Sequence, residues 1–550
     1  MLYRDICRTL AVYLWILLLP LCIPLFIAIY CEWIVGSSVY PQPPAGPAFL
    51  MTMLFTALLG GVFWLIGQKS TGHLYRREAL LLVLLVYFLT PAIGALPFYL
   101  NETLENPIDA YFEATSGLTT TGASIIQAKQ YDSETGKEIP IKKTFVTGEK
   151  TDYTYYGNIA PITDSKTQKT LTGVEALSPA LLFWRALMQW LGGGGIVVMF
   201  VAILPALGVG GKVLVQTEIT GPSKESMFPR IKETASQLWK VYLFLTLLEI
   251  FLLYFTNEEM SWFNASAISL STISTGGFTP VNGGIASFNN PYTDWIIVIF
   301  MILGSISFAI YFVCMRGKFS RLKDPELRAF LLIILFSAIV STWQLVGKAQ
   351  EMLIGESTGT YNFWEAFRFG TFQVVSAQTS TGFTTANYDL WPFSVQVLML
   401  ILMYVGGMAG STAGGLKVVR QQTFLKIMKG KIESIFRPDT VRATRLGNAI
   451  IDHKTATTVL CFFMVAAYLA IASLFVFVLF AKIDPETSFS TVSCFLNNVG
   501  IAFRMGGPTE TFAFLPGWGK LLGCFLMIAG RLEFFALLIA FVPAFWKTTY

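Results

Sequence analysis

The chain has 550 residues, of which 54% are apolar and only 13% charged, with a net charge of +5 and a mean hydropathy of +0.59. Soluble domains carry about 25% charged residues, so this composition excludes a soluble globular enzyme and predicts an all-α polytopic membrane protein. His73 and His453 are the only histidines, which argues against a histidine-based metal centre or charge-relay catalysis. Cys7, Cys22, Cys31, Cys314, Cys461, Cys494 and Cys524 show no close spacing and read as packing residues, not disulfides or metal ligands.

A bilayer core of about 30 Å needs about 20 apolar helical residues. The sequence supplies ten such predicted spans, at 10–31, 47–66, 79–100, 180–206, 236–256, 294–315, 328–347, 393–427, 455–480 and 518–545. The first lacks an Ala-x-Ala-like end and is expected to stay on the protein as a helix, not to be cleaved as a signal. Basic residues follow every second span: Lys69, Arg76 and Arg77; Lys212, Lys224, Arg230 and Lys232; Arg316, Lys318, Arg321 and Lys323; Lys426, Lys429, Lys431, Arg437, Arg442 and Arg445. The intervening connections are poor in positive charge, and 258–292 has no Lys or Arg. By the positive-inside rule the basic connections and both termini are expected in the cytoplasm.

One long polar stretch, about 126–179, interrupts this pattern. It is expected outside as a small β-rich or irregular cap, and is read as a neutral insertion in preference to a regulatory or docking element. Asn101-Glu102-Thr103 fits a glycosylation sequon, a pattern too short to carry weight.

The informative feature is a segment that recurs four times between spans, anchored on Gly122, Gly277, Gly382 and Gly500. Six places before each glycine stands a small residue: Ser116, Ser271, Ser376 or Cys494. Hydroxyls or amides come just before it: Thr119, Thr120 and Thr121; Ser274 and Thr275; Thr379, Ser380 and Thr381; Asn497 and Asn498, with Val499. In the second copy Gly276 and Gly277 are adjacent, and the spacing from Ser271 together with Phe278 selects Gly277. Unequal intervals mark a divergent repeat.

Asn264–Ser274 is too short and too polar to span yet lies between two spans, so a re-entrant helix and loop is predicted; ten helical residues reach about halfway through the bilayer. Non-helical backbone at that depth survives only where it is buried in protein or lines a water-filled cavity. Glycine tolerates positive φ, and rings of carbonyl oxygens can replace the hydration shell of a monovalent cation. The C-terminal ends of the short helices, partially negative, add to a preference for cations. Ser116, Ser271, Ser376 and Cys494 read as packing contacts behind such loops. Glycines that merely let helices pack closely would explain one copy; four aligned copies favour a pore.

The eighth span contains Gly406, Gly407, Gly410, Ser411, Thr412, Gly414 and Gly415. Glycine costs a helix about 1 kcal/mol relative to alanine, so a mid-membrane break is expected there. Arg531 and Glu533 lie near the centre of the last span, where charge is costly and usually functional; two places apart, they cannot readily pair with each other. Arg185 and Gln189 share a face near the outer end of the fourth span and read as snorkelling. Glu113 and Glu365, beside the short helices, could attract cations or simply cap and pair.

These motifs resemble the potassium transporters of the Trk/Ktr/HKT superfamily, and in particular its TrkH-type translocating subunits. The resemblance runs from the first span to the last, without the insertion. It rests on ATSGLTTTGAS (114–124), FWRALMQWLGGGGIVV (183–198), TGPSKESMFPRIKETASQLW (220–239), STISTGGFTP (271–280), QTSTGFTT (378–385), GGMAGSTAGGLKVVR (406–420), NNVGIAF (497–503) and AGRLEFF (529–535). It implies four pseudo-symmetric helix–pore loop–helix repeats after two extra N-terminal helices, divided as 1–70, 71–210, 211–320, 321–445 and 446–550. One filter glycine per repeat falls on Gly122, Gly277, Gly382 and Gly500, and glycine at all four implies potassium as the transported ion. The fourth copy departs from the pattern, with Asn498, Val499 and Ile501-Ala502. The resemblance also implies a gating loop at 406–415, with Arg531 facing the path below the filter and touching that loop and Lys417 as its candidate companion.

Further implications are a homodimer, a bacterial cytoplasmic (inner) membrane and a separate cytosolic TrkA-like nucleotide-binding regulatory ring on the basic connections. The chain itself has no Gly-x-Gly-x-x-Gly after a strand. Neither a resident cofactor nor nucleic acid is expected. A sodium-permeable or sodium-coupled carrier is the alternative within transport. The different class is a polytopic membrane enzyme or sensor: an enzyme is disfavoured by the absence of clustered carboxylates, a histidine pair or an activated nucleophile, while a sensor without transport stays open.

Overall fold

The computed structural model describes residues 3–36, 39–70, 72, 76–132, 134–147, 149–163, 170–195, 231–315, 317, 319–350, 352–354, 359–437, 445–446, 449–451 and 453–547. The end of the fourth predicted span, from 196, and Lys212, Lys224, Arg230, Arg316, Lys318, Arg442 and His73 lie outside them.

The chain is mostly helical. Among the described residues six helices are long and apolar enough to cross a membrane: Tyr3–Val35, Gly46–Ile66, Arg77–Leu100, Ser236–Thr256, Pro325–Leu345 and Thr455–Ala481. Interleaved with the later ones are four helices of 12, 12, 16 and 13 residues: Pro107–Leu118, Trp262–Ile273, Phe363–Gln378 and Pro485–Asn497. At 1.5 Å per residue they are too short to span. Each is started by a side chain that accepts an otherwise orphaned backbone N–H: Asn106 from Ile108, Ser261 from Asn264, Asn362 from Glu365, and Asp484 from Thr487. Such caps contribute about 1 kcal/mol each. Glu365 completes a capping box with Asn362, which settles it as a capping residue.

The helices after the short ones are broken, and more often than the sequence suggests. The predicted span 393–427 stops at Val405 and resumes as Val418–Phe436, as expected from its glycines. The predicted spans 294–315 and 518–545 are also interrupted: Pro291–Ser305 turns 90° into Phe308–Met315, and Gly517–Arg531 turns 114° into Phe535–Phe541. The fourth runs helically over Pro179–Trp190 and widens over Leu191–Gly195. The cause is tertiary competition for carbonyls. Thr412 and Met408 bond to the carbonyls of Gly304 and Ser305, which a continuing helix would use itself. Glu533 and Phe534 adopt φ +56° and +58° and close the helix end with Phe534 N–H on Ala529 O at 2.8 Å.

The polar insertion carries an antiparallel hairpin, Ile141–Thr147 with Glu149–Tyr155. It is not detached from the helices. The Tyr153 hydroxyl donates to Asp484 Oδ1 and accepts the Asp484 N–H, and Tyr153 packs edge-on against Phe514. Lys143 pairs with Glu510, and Asn282 bonds Thr172 O and the Val174 N–H. Burial, and then the charge of Glu510, pushes the Tyr155 hydroxyl up to about 12. Tyr153 is also raised, first by burial and then by its bond to Asp484. The sequon is not presented: Asn101 is buried and its amide donates to Pro44 O at 3.1 Å. All seven cysteines are unpaired.

Candidate functional site

The four short helices end in one way. The residue two places before the glycine is left-handed in every copy: Thr120, Thr275, Ser380 and Asn498 have φ between +52° and +55°. The glycines Gly122, Gly277, Gly382 and Gly500 follow at +79° to +85°. Between them, the N–H of Thr121, Gly276, Thr381 and Val499 reaches back to the carbonyl of Ser116, Ser271, Ser376 and Cys494, at 2.8–3.1 Å. This is a Schellman closure, and it gives the small residue six places back its job: its carbonyl anchors the loop. Left-handed Thr or Ser is costly, by about 1–3 kcal/mol per residue, and sequence reasoning missed it. Asn498, which departs from the other copies in sequence, is the residue type that tolerates this conformation best.

The four loops come together in cyclic order. A Cβ built on Gly122 would strike the carbonyl oxygen of Gly276; on Gly277, that of Thr381; on Gly382, that of Val499; on Gly500, that of Thr121. Each glycine thus abuts the residue preceding the next loop's glycine, and the series closes on itself. The register at Gly277 matches the other three copies, while Gly276 occupies the place of Thr121, Thr381 and Val499.

Support behind the loops differs by copy. Thr119 and Thr121 share a hydroxyl bond of 2.8 Å, as do Thr379 and Thr381. The second loop has no side chain at Gly276; a Cβ there would meet the amide of Gln189. Gln189, fully buried, donates to Gly276 O at 2.7 Å and accepts from Phe278 N at 3.1 Å. In the fourth, Asn498 Nδ2 donates to Thr121 Oγ1 and Met527 O, both at 2.9 Å.

Arg185 and Gln189 therefore do not snorkel. Arg185 is 2% exposed, pairs with Glu113 at 2.7 Å and lies 4.0 Å over the Phe278 ring. Glu113 in turn accepts from Ser124 Oγ and Ile125 N, so it pairs with Arg185 and braces the first loop; it caps no helix end. Two polar residues four apart on an apolar helix were the available signal; burial decided against the bilayer surface.

The glycine-rich stretch after Val405 packs against the bases of these loops. Gly406 and Lys417 have φ +70° and +72°, and a Cβ on Gly406 would meet Gly414 and Gly415, so the stretch folds back on itself. Gly414 N donates to Ser380 Oγ, Gly415 N to Asn497 O at 3.1 Å, and Thr412 Oγ1 to Ile273 O at 2.9 Å. Gly407 lies against Ala413 and Ser305, and Gly410 O accepts from Phe308 N. Ser411 Oγ turns back to Met408 O. Arg531 donates to Thr412 O at 2.8 Å and to Gly192 O at 2.7 Å, while Lys417 Nζ donates to Ala413 O. Glu533 pairs with Arg420. A cavity of about 120 Å³ is bordered by Asn498, Gly414, Lys417, Arg531, Trp239 and Tyr242, so two cationic side chains face a space touching the fourth loop.

Similarity to known proteins gives the family. The Trk system potassium uptake protein TrkH of Salmonella typhimurium is 33% identical over 507 residues, covering 92% of this chain and 93% of the relative. That of Halomonas elongata is 33% identical over 511 residues, covering 91% and 92%. The crystal structure of the potassium transporter TrkH from Vibrio parahaemolyticus superposes with a TM-score of 0.77 at 28% identity, covering 100% of both chains. The family model TrkH, cation transport protein, matches residues 154–548, and the chain belongs to that family.

Proposed function

We propose that this chain is the pore-forming subunit of a Trk-type potassium uptake system in the cytoplasmic (inner) membrane of a bacterium, built on four pseudo-symmetric repeats. The carrying observation is the closed cyclic contact of Gly122, Gly277, Gly382 and Gly500 with the carbonyls of Gly276, Thr381, Val499 and Thr121. Four backbone hairpins pinned edge to edge supply oxygens at a fixed spacing, which is what replaces an alkali cation's hydration shell. The reading takes Thr120, Thr121 and Gly122, Thr275, Gly276 and Gly277, Ser380, Thr381 and Gly382, and Asn498, Val499 and Gly500 as the selectivity filter. Relatives carrying the name of potassium uptake proteins support potassium as the ion.

In this reading 406–415 is the gate. It is seated against the bases of the loops, and Arg531 and Lys417 place positive charge where a cation would wait. Ser411 and Thr412 lock the seat through Met408 O, Ile273 O and Gly304 O. Both termini are assigned to the cytoplasm from the basic connections, where a nucleotide-binding regulatory ring would dock; a homodimer completes the assembly. Potassium is substrate here, and the chain needs no resident cofactor.

Flux into proteoliposomes under potassium, rubidium and sodium gradients tests the reading. Potassium and rubidium are expected to pass and sodium to lag. Sodium flux equal to potassium flux overturns the selectivity assignment in favour of a sodium-permeable carrier.

A further inference from the structure

The helix Pro325–Leu345 opens with an acid that the account above leaves unused. Asp324 caps this helix by accepting the Glu326 N–H at 2.8 Å, and Glu326 then turns its carboxylate toward the glycine-rich stretch. A single oxygen, Oε1, accepts the backbone N–H of Ala409 at 2.8 Å and that of Val419 at 3.3 Å. Ala409 lies within the stretch and Val419 in the first turn of the helix that follows it. One atom thus holds both the stretch and the start of the helix that follows it. The Val419 amide is a first-turn N–H with no partner inside its own helix, and a carboxylate at a helix N-terminus also meets the favourable end of the helix dipole. Gln422 Nε2 donates to Pro325 O at 3.0 Å, tying the same two helices again one turn on.

We infer that Glu326 is the positioning residue that keeps the 406–415 stretch seated against the four loops. It also couples that seat to the Phe319–Lys323 turn that precedes this helix. This rests on the gating role proposed above. The loops hold the stretch through Ser380 Oγ, Asn497 O and Ile273 O; Glu326 holds it from an element that belongs to none of the four loops. Displacing the start of Pro325–Leu345 would therefore release the stretch without disturbing the filter.

A second variant probes the same contact from the other side. Ser411 N bonds Met408 O at 3.3 Å and Gly410 has φ +77°, so Met408–Ser411 is a type II turn with Ala409 at its second position. Proline is favoured there and removes only the N–H that Glu326 accepts.

The test is rubidium and sodium flux of the full-length chain in proteoliposomes, without any partner. Glu326→Ala and Ala409→Pro are each expected to raise basal rubidium flux at least about fivefold, the equivalent of one lost hydrogen bond, with rubidium-over-sodium preference unchanged. Glu326→Gln, whose amide oxygen still accepts, is expected within about twofold of the unaltered chain. Unchanged flux in Ala409→Pro, a leak in Glu326→Gln equal to that of Glu326→Ala, or a change of ion preference along with flux overturns the inference. An unaltered chain that passes rubidium no better than sodium defeats the functional reading instead, whatever the variants do.

Discussion

The carbonyl of Thr121 lies against Gly500 so closely that a Cβ on that glycine would come well inside 3.0 Å, and this contact joins the last loop to the first. The same relation holds at every junction, so each glycine is required twice: for its positive φ and for the room its missing side chain leaves to a neighbour's oxygen.

Gly382→Ser therefore does more than strain one residue. Its Cβ would push on the Val499 carbonyl, shifting an oxygen of the adjacent loop. Potassium-over-sodium preference is expected to fall by about tenfold or more, which corresponds to about 1.4 kcal/mol, or flux is expected to collapse. Paired tracer fluxes decide it; an unaltered rate and preference would remove Gly382 from the site.

Gln189→Leu is expected to loosen the second loop selectively. It keeps the bulk behind Gly276 but leaves the Phe278 N–H and Gly276 O without their partners, at about 1–3 kcal/mol for the buried donor. Sodium admission should rise while the folded fraction, read from thermal melts in detergent, falls by a few degrees. Gln189→Glu retains the acceptor for Phe278 and loses the donor to Gly276, so it separates the two bonds.

What could be read in advance was local. The four glycines, the small residue six places before each, the choice of Gly277 over Gly276 and the break at Gly406 all follow from short spacings and from glycine's own preferences. What escaped was set by contacts between distant segments. The lone glycine beside Ser305 or Arg531, Gly304 or Gly530, is too weak a signal to mark a helix end; those ends form because Thr412 takes the carbonyl of Gly304 and because Glu533 and Phe534 turn left-handed. The threonine at 120 and its counterparts look like ordinary helix-end hydroxyls until the Schellman bonds fix their φ. The helical face of Arg185 can be read from sequence and points to the bilayer surface; a partner such as Glu113, 72 residues away, cannot be read there.

Thr412→Val tests the seat of the glycine-rich stretch. Valine preserves the shape and removes the hydroxyl shared by Ile273 O and Gly304 O, while leaving the carbonyl that Arg531 binds. Losing about 1 kcal/mol of hydrogen bonding should raise basal rubidium flux about fivefold without altering ion preference. Shortening 406–415 should raise it further. A pore that stays closed in both variants would reduce the stretch to packing.

The insertion is the feature whose role the sequence left most open, and its hairpin grips the N-cap of the fourth short helix. Tyr153→Phe removes the hydroxyl that serves Asp484 Oδ1 and the Asp484 N–H, and is expected to cost about 1 kcal/mol, lowering the melting temperature by a few degrees. Because burial raises Tyr153 and Tyr155 above the ordinary tyrosine value of 10.0, they stay neutral in the folded cap under conditions that ionise an exposed tyrosine. The stability they contribute is fully present below about pH 10 and is lost as pH rises through their higher folded values. Hydrogen exchange across 141–155 should accordingly stay slow to about pH 10, once corrected for intrinsic base catalysis, and accelerate above it. In Tyr153→Phe the same segment should exchange faster already at pH 7. Protection that is identical in the variant and insensitive to alkali would mean that the hairpin rests on Asp484 without supporting it, and the support of the fourth loop would then lie in contacts such as those of Asn498 with Thr121 and Met527.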